Sequence, residues 1–248
     1  MTETRRFSTA LIDRLRSAEA VAVLTGAGIS AESGVPTFRG QDGLWKKYRP
    51  EELANFDAFM RNPTLVWEWY NYRRELISEV DPNPGHYALA QLEKMCDTFT
   101  LITQNVDGLH QRAGSKRVLE LHGNITKNRC VSCSKTDGVS RTIDDLPHCD
   151  CGGLLRPDVV WFGESLPQKE LELAFDTASR STVFLNIGTS GVVQPAASLS
   201  LVARRNGAYV CEINIEETVL SGQMDETILG PSGEIMPHLV ELLKKNRM

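Results

Sequence analysis

Short runs of Val, Ile, Leu and small residues, separated by helix-patterned segments, constrain this chain more than any other feature. The runs are Ala20 to Thr25, Phe99 to Thr103, Val118 to Leu121, Val159 to Phe162, Thr182 to Ile187 and Ala208 to Ile213. Continuous apolar runs of this length suit strands covered on both faces of a parallel sheet. Helical periodicity fills Thr9 to Ala18, His86 to Met95, Gln168 to Ser179, Pro195 to Arg205 and about Ile235 to Lys245. The alternation predicts an α/β fold, an open parallel sheet with right-handed crossovers. Ligands of such sheets bind at the carboxyl ends of the strands, so the chemistry is sought there.

Two stretches break the alternation. Residues 41–90 carry aromatics, prolines and helical patterns but no clear strand, and residues 128–156 are rich in Cys, Ser, Asp and Gly. Both read as insertions, which divides the chain into a sheet domain (1–40, 91–127 and 157–248), a helical insertion (41–90) and a small module (128–156). A net charge of -5 gives no basic footprint for nucleic acid. No apolar stretch follows Arg5 and Arg6, and no run approaches the ~18 apolar residues of a membrane span. A cytoplasmic protein without a membrane partner is therefore expected, and its 6 cysteines point to metal or free thiols instead of disulfides.

The first run leads into Gly26-Ala27-Gly28-Ile29-Ser30-Ala31, a G-x-G-x-x-A turn directly after a strand. Glycines there let the backbone approach a pyrophosphate, although the same turn also occurs without a ligand. A dehydrogenase would place an acid at the end of a second strand about 20 residues on. Trp45 to Pro50 holds no such strand end, so a dinucleotide would bind outside the usual redox frame. The segment Glu32 to Gly40 is kept irregular by Gly and Pro. In it, Phe38 is placed to shield a reactive carbon and Arg39 to meet phosphate or ribose.

Other strand ends are polar: Gln104-Asn105-Val106-Asp107, His122-Gly123, Gly188-Thr189-Ser190 and Asn214. His122 is a candidate general base, since imidazole titrates near neutrality. A structural histidine is the other reading, and Asn105 and Asp107 nearby favour catalysis. Cys96 and Cys211 lie in apolar-patterned segments and read as packing residues. Cys130-Val131-Ser132-Cys133 and Cys149-Asp150-Cys151 form paired thiols suited to tetrahedral zinc, with a tighter second pair than usual. Four thiolates leave no open position, so the zinc would be structural. The module has little apolar material, and metal binding must supply much of its folding energy.

These motifs, together with Thr37-Phe38-Arg39, Leu121-His122-Gly123 and Val159-Val160-Trp161-Phe162-Gly163-Glu164, closely resemble the sirtuin signature in sirtuin order, over nearly the whole chain. The shortened Cys149/Cys151 spacing is the one departure. The resemblance implies a Rossmann-like domain, a small zinc-bearing module and an NAD-consuming protein-lysine deacylase acting on acylated protein or peptide. It implies an NAD site lined by Gly26, Ala27, Gly28, Ser30, Phe38, Arg39, Gln104, Asn105, Val106, Asp107, Gly188, Thr189, Ser190, Asn214, Ile215, Glu216 and Ser232. Substrate backbone would pair with Val160, Trp161, Phe162, Gly163 and Glu164 and with Gly191 and Val192 as an added strand. The implied chemistry is attack of the acyl oxygen on the ribose carbon bearing nicotinamide, with Asn105 and Asp107 orienting ribose and nicotinamide. His122 would then deprotonate a ribose hydroxyl, giving free lysine, nicotinamide and O-acyl-ADP-ribose.

Leu65 to Ile77 reads as an amphipathic helix; Leu65, Val66, Trp69, Tyr72, Leu76, Ile77 and Val80 form one apolar arc, with Glu68, Asn71, Arg74 and Glu75 opposite. Arg73 falls inside the apolar arc and Tyr70 at its margin. An arginine there must find an anion or snorkel to water. The partner is either an internal acid or an anionic substrate. The Tyr-x-x-Arg pair resembles that of sirtuins removing succinyl and malonyl groups, and Ala54 matches a small residue that widens their acyl pocket. Two rivals stay open: protein mono-ADP-ribosylation, and an NAD-sensing module without turnover.

Overall fold

A computed structural model describes residues 7–38, 49–137 and 146–245. Its strands are β1 (Ala20–Thr25), β2 (Thr98–Thr103), β3 (Val118–Glu120), β4 (Gly123–Cys130), β5 (Thr136–Asp137), β6 (Leu155–Val159), β7 (Val183–Ile187), β8 (Tyr209–Asn214) and β9 (Glu226–Leu229). The helices among the described residues are α1 (Thr9–Arg16), α2 (Ala27–Ala31), α3 (Pro50–Leu53), α4 (Phe56–Arg61), α5 (Pro63–Glu79), α6 (Pro84–Met95), α7 (Leu109–Arg112), α8 (Gln168–Arg180), α9 (Ser198–Arg205) and α10 (Ser232–Lys244).

The large sheet runs β3-β2-β1-β7-β8-β9, and every neighbouring pair is parallel. Along β1, Val21 and Val23 face a core shared with α1, α6 and α10, while Ala22 and Leu24 face one shared with α8 and α9. Burial on both faces explains why the strands read as unbroken apolar runs. This is the open parallel sheet that the alternation predicts, in the Rossmann-like form that the resemblance implies. The order reverses between β1 and β7, so their carboxyl ends flank the crevice where open α/β sheets take ligands. Among the described residues, no helix is long and apolar enough to cross a membrane.

A second, three-stranded antiparallel sheet runs β5-β4-β6. Its strands reach outside residues 128–156 on both sides. It packs with α4 and α5 into a third apolar cluster that includes Phe59, Trp67, Tyr70, Leu155 and Trp161.

The structure corrects two expectations. Val159 to Phe162 is not a strand of the large sheet: β6 ends at Val159 and pairs with β4. The buried face of α5 is Val66, Trp67, Trp69, Tyr70, Arg73 and Ile77, whereas Leu65 and Tyr72 are exposed. Arg74, expected to face solvent, donates to the carbonyls of Ile125 (2.6 Å) and Lys127 (3.0 Å) and to Asn128 Oδ1 (2.7 Å). It thereby ties α5 to β4.

Candidate functional site

The glycine turn is built by close backbone contact. Gly26 N–H donates to Ile187 O at 3.1 Å, and Gly28 N–H donates to Gly188 O at 2.9 Å. A Cβ on Gly28 would stand 2.7 Å from Gly188 Cα, so no other residue fits without moving the turn that follows β7. Gly188 itself holds φ +61, a conformation that glycine adopts freely.

Beneath this turn lies a buried polar network. Asn105 Nδ2 donates to Gly26 O (3.0 Å) and to Ser30 Oγ (3.1 Å). Ser30 Oγ donates to Asp107 Oδ2 at 2.8 Å, and Asp107 Oδ1 accepts from Leu109 N–H at 2.9 Å. Burial raises the Asp107 carboxyl, and these hydrogen bonds together with the Arg73 charge oppose the rise. The Ser30 proton is committed to Asp107, so the 3.4 Å contact with His86 requires His86 Nε2–H to donate to Ser30. The other ring nitrogen, Nδ1, accepts from Asn83 N–H at 3.3 Å. Burial lowers the His86 pKa to about 4 and keeps the ring neutral. Sequence reasoning missed His86; the signal was Asn83-Pro84-Gly85-His86, whose Asn and His form a capping box at the start of α6.

His122 follows β3 and is half-buried. Its Nδ1 lies 2.9 Å from Gln104 O. A carbonyl only accepts, so Nδ1 carries the proton and Nε2 is left bare as a base. Burial is the larger influence on this ring and lowers its pKa, while the Gln104 bond opposes it. The His122 carbonyl takes Val160 N–H at 2.9 Å, which hangs the Val160 to Glu164 segment directly beside the candidate base. Phe162 N–H donates to Ala54 O at 3.0 Å, so the same segment is pinned to the backbone just after α3.

Thr189 stands against the glycine turn, where a Cβ on Gly26 would meet its Cα at 3.0 Å, and Asn214 Nδ2 donates to Thr189 O at 2.8 Å, while Gly191 is buried against Leu220. Ser190, Val192, Ile215 and Glu216 are exposed beside it. Ser232 is buried, and its hydroxyl donates to Glu32 Oε1 at 2.9 Å. Val106 packs against the third cluster. Phe38 is half-buried, whereas Arg39 lies outside the described residues.

Tyr70 and Arg73 are both buried, at 3% and 8% exposure. The Arg73 guanidinium lies 4.9 Å from the Phe38 ring centre, 5.9 Å from that of Trp69 and 5.7 Å from that of Tyr70. Among the described residues it makes no hydrogen bond or ion pair. Rings offset part of the cost of burying a cation, by about 0.5–2 kcal/mol each, but they do not replace an anion.

The four candidate zinc ligands converge: the Sγ atoms of Cys130, Cys133, Cys149 and Cys151 all lie within 4.8 Å of one another. The contacts Cys130–Cys151 (3.5 Å) and Cys133–Cys149 (3.7 Å) fit the roughly 3.8 Å edge of a tetrahedron with Zn–S bonds of about 2.3 Å. The tight Cys149/Cys151 pair is accommodated by glycine: Gly152 takes φ +82, and a Cβ on Gly153 would stand 2.7 Å from Cys130 Sγ. The thiolates would hold one structural zinc, with no open position for a reacting water. Metal analysis is expected to find one zinc per chain, and Cys130→Ala should lower the melting temperature and soluble yield. A folded, active preparation free of zinc would contradict this assignment.

A parallel sheet with a glycine turn at its switch point, joined to a four-cysteine lobe, defines a Rossmann-like protein with a zinc-binding module. Residues 26–195 match the model of the Sir2 family. The chain is 54% identical over 235 residues to NAD-dependent protein deacylase 2 of Pyrobaculum aerophilum, covering 94% of each. It superposes on a crystal structure of a Sir2 homologue bound to NAD with TM-score 0.91 and 48% identity, covering 96% of this chain and 94% of that one. A Sir2 complex with a p53 peptide and NAD matches with TM-score 0.86 and 35% identity, covering 96% and 99%. The chain belongs to the Sir2 family.

Proposed function

We propose that this chain is an NAD-dependent protein-lysine deacylase that removes acetyl groups and also acidic acyl groups, succinyl and malonyl, releasing nicotinamide and O-acyl-ADP-ribose. The deacylase reading rests on family membership and on relatives that carry that name. The acidic-acyl reading rests on Arg73, a buried cation that forms no ion pair or hydrogen bond among the described residues, although the buried Asp107 carboxylate lies within electrostatic reach of it. An anion arriving as part of the substrate would supply the missing charge.

NAD, as co-substrate, supplies an activated ribose carbon whose leaving group is nicotinamide. The chain's residues then have distinct tasks. Gly26, Ala27, Gly28, Gly188, Thr189 and Ser190 let backbone approach the pyrophosphate, with Asn214, Ile215, Glu216 and Ser232 at the far end. Asn105 and Asp107, fixed by Ser30, orient ribose and nicotinamide, and Phe38 screens them from water. His122 Nε2 accepts a ribose hydroxyl proton. Val160 to Glu164 and Gly191-Val192 offer backbone to an extended peptide. The division of labour in this reading is 1–40, 91–127 and 157–248 for the co-substrate and the peptide backbone, 41–90 for the acyl end and 128–156 for zinc.

The test is mass spectrometry after mixing protein, NAD and a panel of acyl-lysine peptides. Expected products are free-lysine peptide, nicotinamide and the matching O-acyl-ADP-ribose from acetyl, succinyl and malonyl peptides. ADP-ribose attached to protein, or no nicotinamide release with any peptide, would replace this reading with one of its rivals.

A further inference from the structure

Tyr70 is held from one side only. Trp161 Nε1–H donates to the Tyr70 hydroxyl oxygen at 2.8 Å, and no other hydrogen bond to that hydroxyl occurs among the described residues. An indole N–H is a donor and never an acceptor. The phenol oxygen is therefore the acceptor of this bond, and the phenol proton is not spent in it. Burial, the largest influence on Tyr70, raises its pKa and keeps that proton in place.

The indole is itself clamped. Trp161 is 2% exposed, and the Arg156 guanidinium carbon lies 3.5 Å from its ring centre. Arg156 grips both carboxylate oxygens of Glu164 and donates to Val159 O at 2.7 Å. Glu164 Oε2 in turn accepts Trp161 N–H at 2.8 Å. The ring has one setting, with its N–H aimed at Tyr70.

We propose that Trp161 is a specificity-positioning residue: its indole N–H occupies the Tyr70 oxygen as an acceptor and leaves the phenol O–H committed to donating to an acidic acyl terminus beside Arg73. This rests on the acidic-acyl reading. Without the N–H, the buried phenol oxygen would lack a donor, and its proton could rotate away from the acyl group. A polarised hydroxyl is also the stronger donor, because hydrogen bonds in series reinforce one another.

The test is kcat/KM for matched succinyl- and acetyl-lysine peptides on wild type, Trp161→Phe, Tyr70→Phe and the double variant, with Arg73→Met alongside. Phenylalanine keeps an aromatic ring against Arg156 and removes the N–H. The succinyl-to-acetyl ratio is expected to fall roughly two- to ten-fold in Trp161→Phe, the span of a neutral hydrogen bond of about 0.5–1.5 kcal/mol at ~1.4 kcal/mol per decade. Tyr70→Phe should lower the ratio at least as much. The double variant should fall no further than Tyr70→Phe, because the N–H then has no hydroxyl to orient. If Trp161→Phe does not fold, benzothienylalanine at position 161 has the indole shape without the N–H and carries the same expectation. An unchanged ratio in the position-161 variant, or losses that multiply in the double variant, overturns the inference. If only the inference fails, Arg73→Met still lowers the ratio. If Arg73→Met also leaves it unchanged, the acidic-acyl reading falls with it.

Discussion

His122→Ala is expected to lower deacylation about 10²–10⁴-fold while the chain keeps its fold and its NAD binding. The imidazole Nδ1 is committed to Gln104 O, so Nε2 is the bare nitrogen that takes a proton. Among the described residues the ring makes no other hydrogen bond. The neighbouring segment is held by the His122 carbonyl, which alanine retains. The turn formed by Gly26 and Gly28 and the network around Asn105 and Asp107 are untouched. The pH profile gives a second signature. A base works when neutral, and burial lowers this one from its ordinary value. Activity should therefore persist as pH falls through about 6.5, the ordinary histidine value, and the acid limb of kcat/KM should lie below it. Steady-state assays across pH, with NAD affinity measured by calorimetry, check both parts. Near-normal turnover of His122→Ala at neutral pH would remove the residue from the mechanism.

The parallel sheet was legible because burial on both faces leaves an unbroken apolar run, and β1 was readable residue for residue. β9 was not. Of its four residues only Ile228 is buried, and Glu226-Thr227-Ile228-Leu229 forms a sheet edge with no run to recognise. β6 failed for the opposite reason. Leu155–Val159 is fully buried but contains Arg156, Pro157 and Asp158. Its charges are neutralised by residues distant in sequence or on the following turn: Arg129 pairs with Asp158 at 2.6 Å, and Glu164 pairs with Arg156. Hydrophobic patterning sees polarity there, and the apolar residues just beyond, Val160 to Phe162, attract the strand assignment instead.

The site divides in the same way. Candidate residues that belong to a motif, such as the glycine turn, Gln104 to Asp107 and the four cysteines, can be read from local order. Residues that act through a partner cannot. Ser30 looks like one more turn residue until Asn105, Asp107 and His86 close around its hydroxyl. Trp161 sits in a recognisable segment, yet the hydrogen-bond partner of its indole, Tyr70, lies 91 positions away. Arg73 is the intermediate case. Its conflict with the apolar face was visible in helical periodicity, whereas the rings of Phe38, Trp69 and Tyr70 around it required the fold.

Arg73→Met should cut kcat/KM for a succinyl-lysine peptide roughly ten- to hundred-fold and lower the succinyl-to-acetyl ratio by a similar factor. A succinyl or malonyl group ends in a carboxylate, to which a guanidinium offers two parallel N–H donors. Hydrogen bonds to charged groups contribute about 1.5–3 kcal/mol, and ~1.4 kcal/mol corresponds to one decade. An acetyl group ends in a methyl and gains nothing from those donors. Burial, the largest influence, already holds the Arg73 pKa below its ordinary value, against the opposing influences of Tyr70 and Asp107. Methionine has no charge to desolvate and fills a similar volume among the three rings, which offsets the loss of the charge that steadies the buried Asp107, so the variant should melt close to wild type. If Arg73 were paired with an internal acid, the outcome would differ in both respects. Removing it would strand that acid in the core, lower the melting temperature and reduce both substrates alike. Equal losses on acetyl and succinyl peptides, accompanied by destabilisation, would therefore make Arg73 a structural residue and end the acidic-acyl assignment. A lowered ratio in a variant as stable as wild type would place the substrate carboxylate against Arg73.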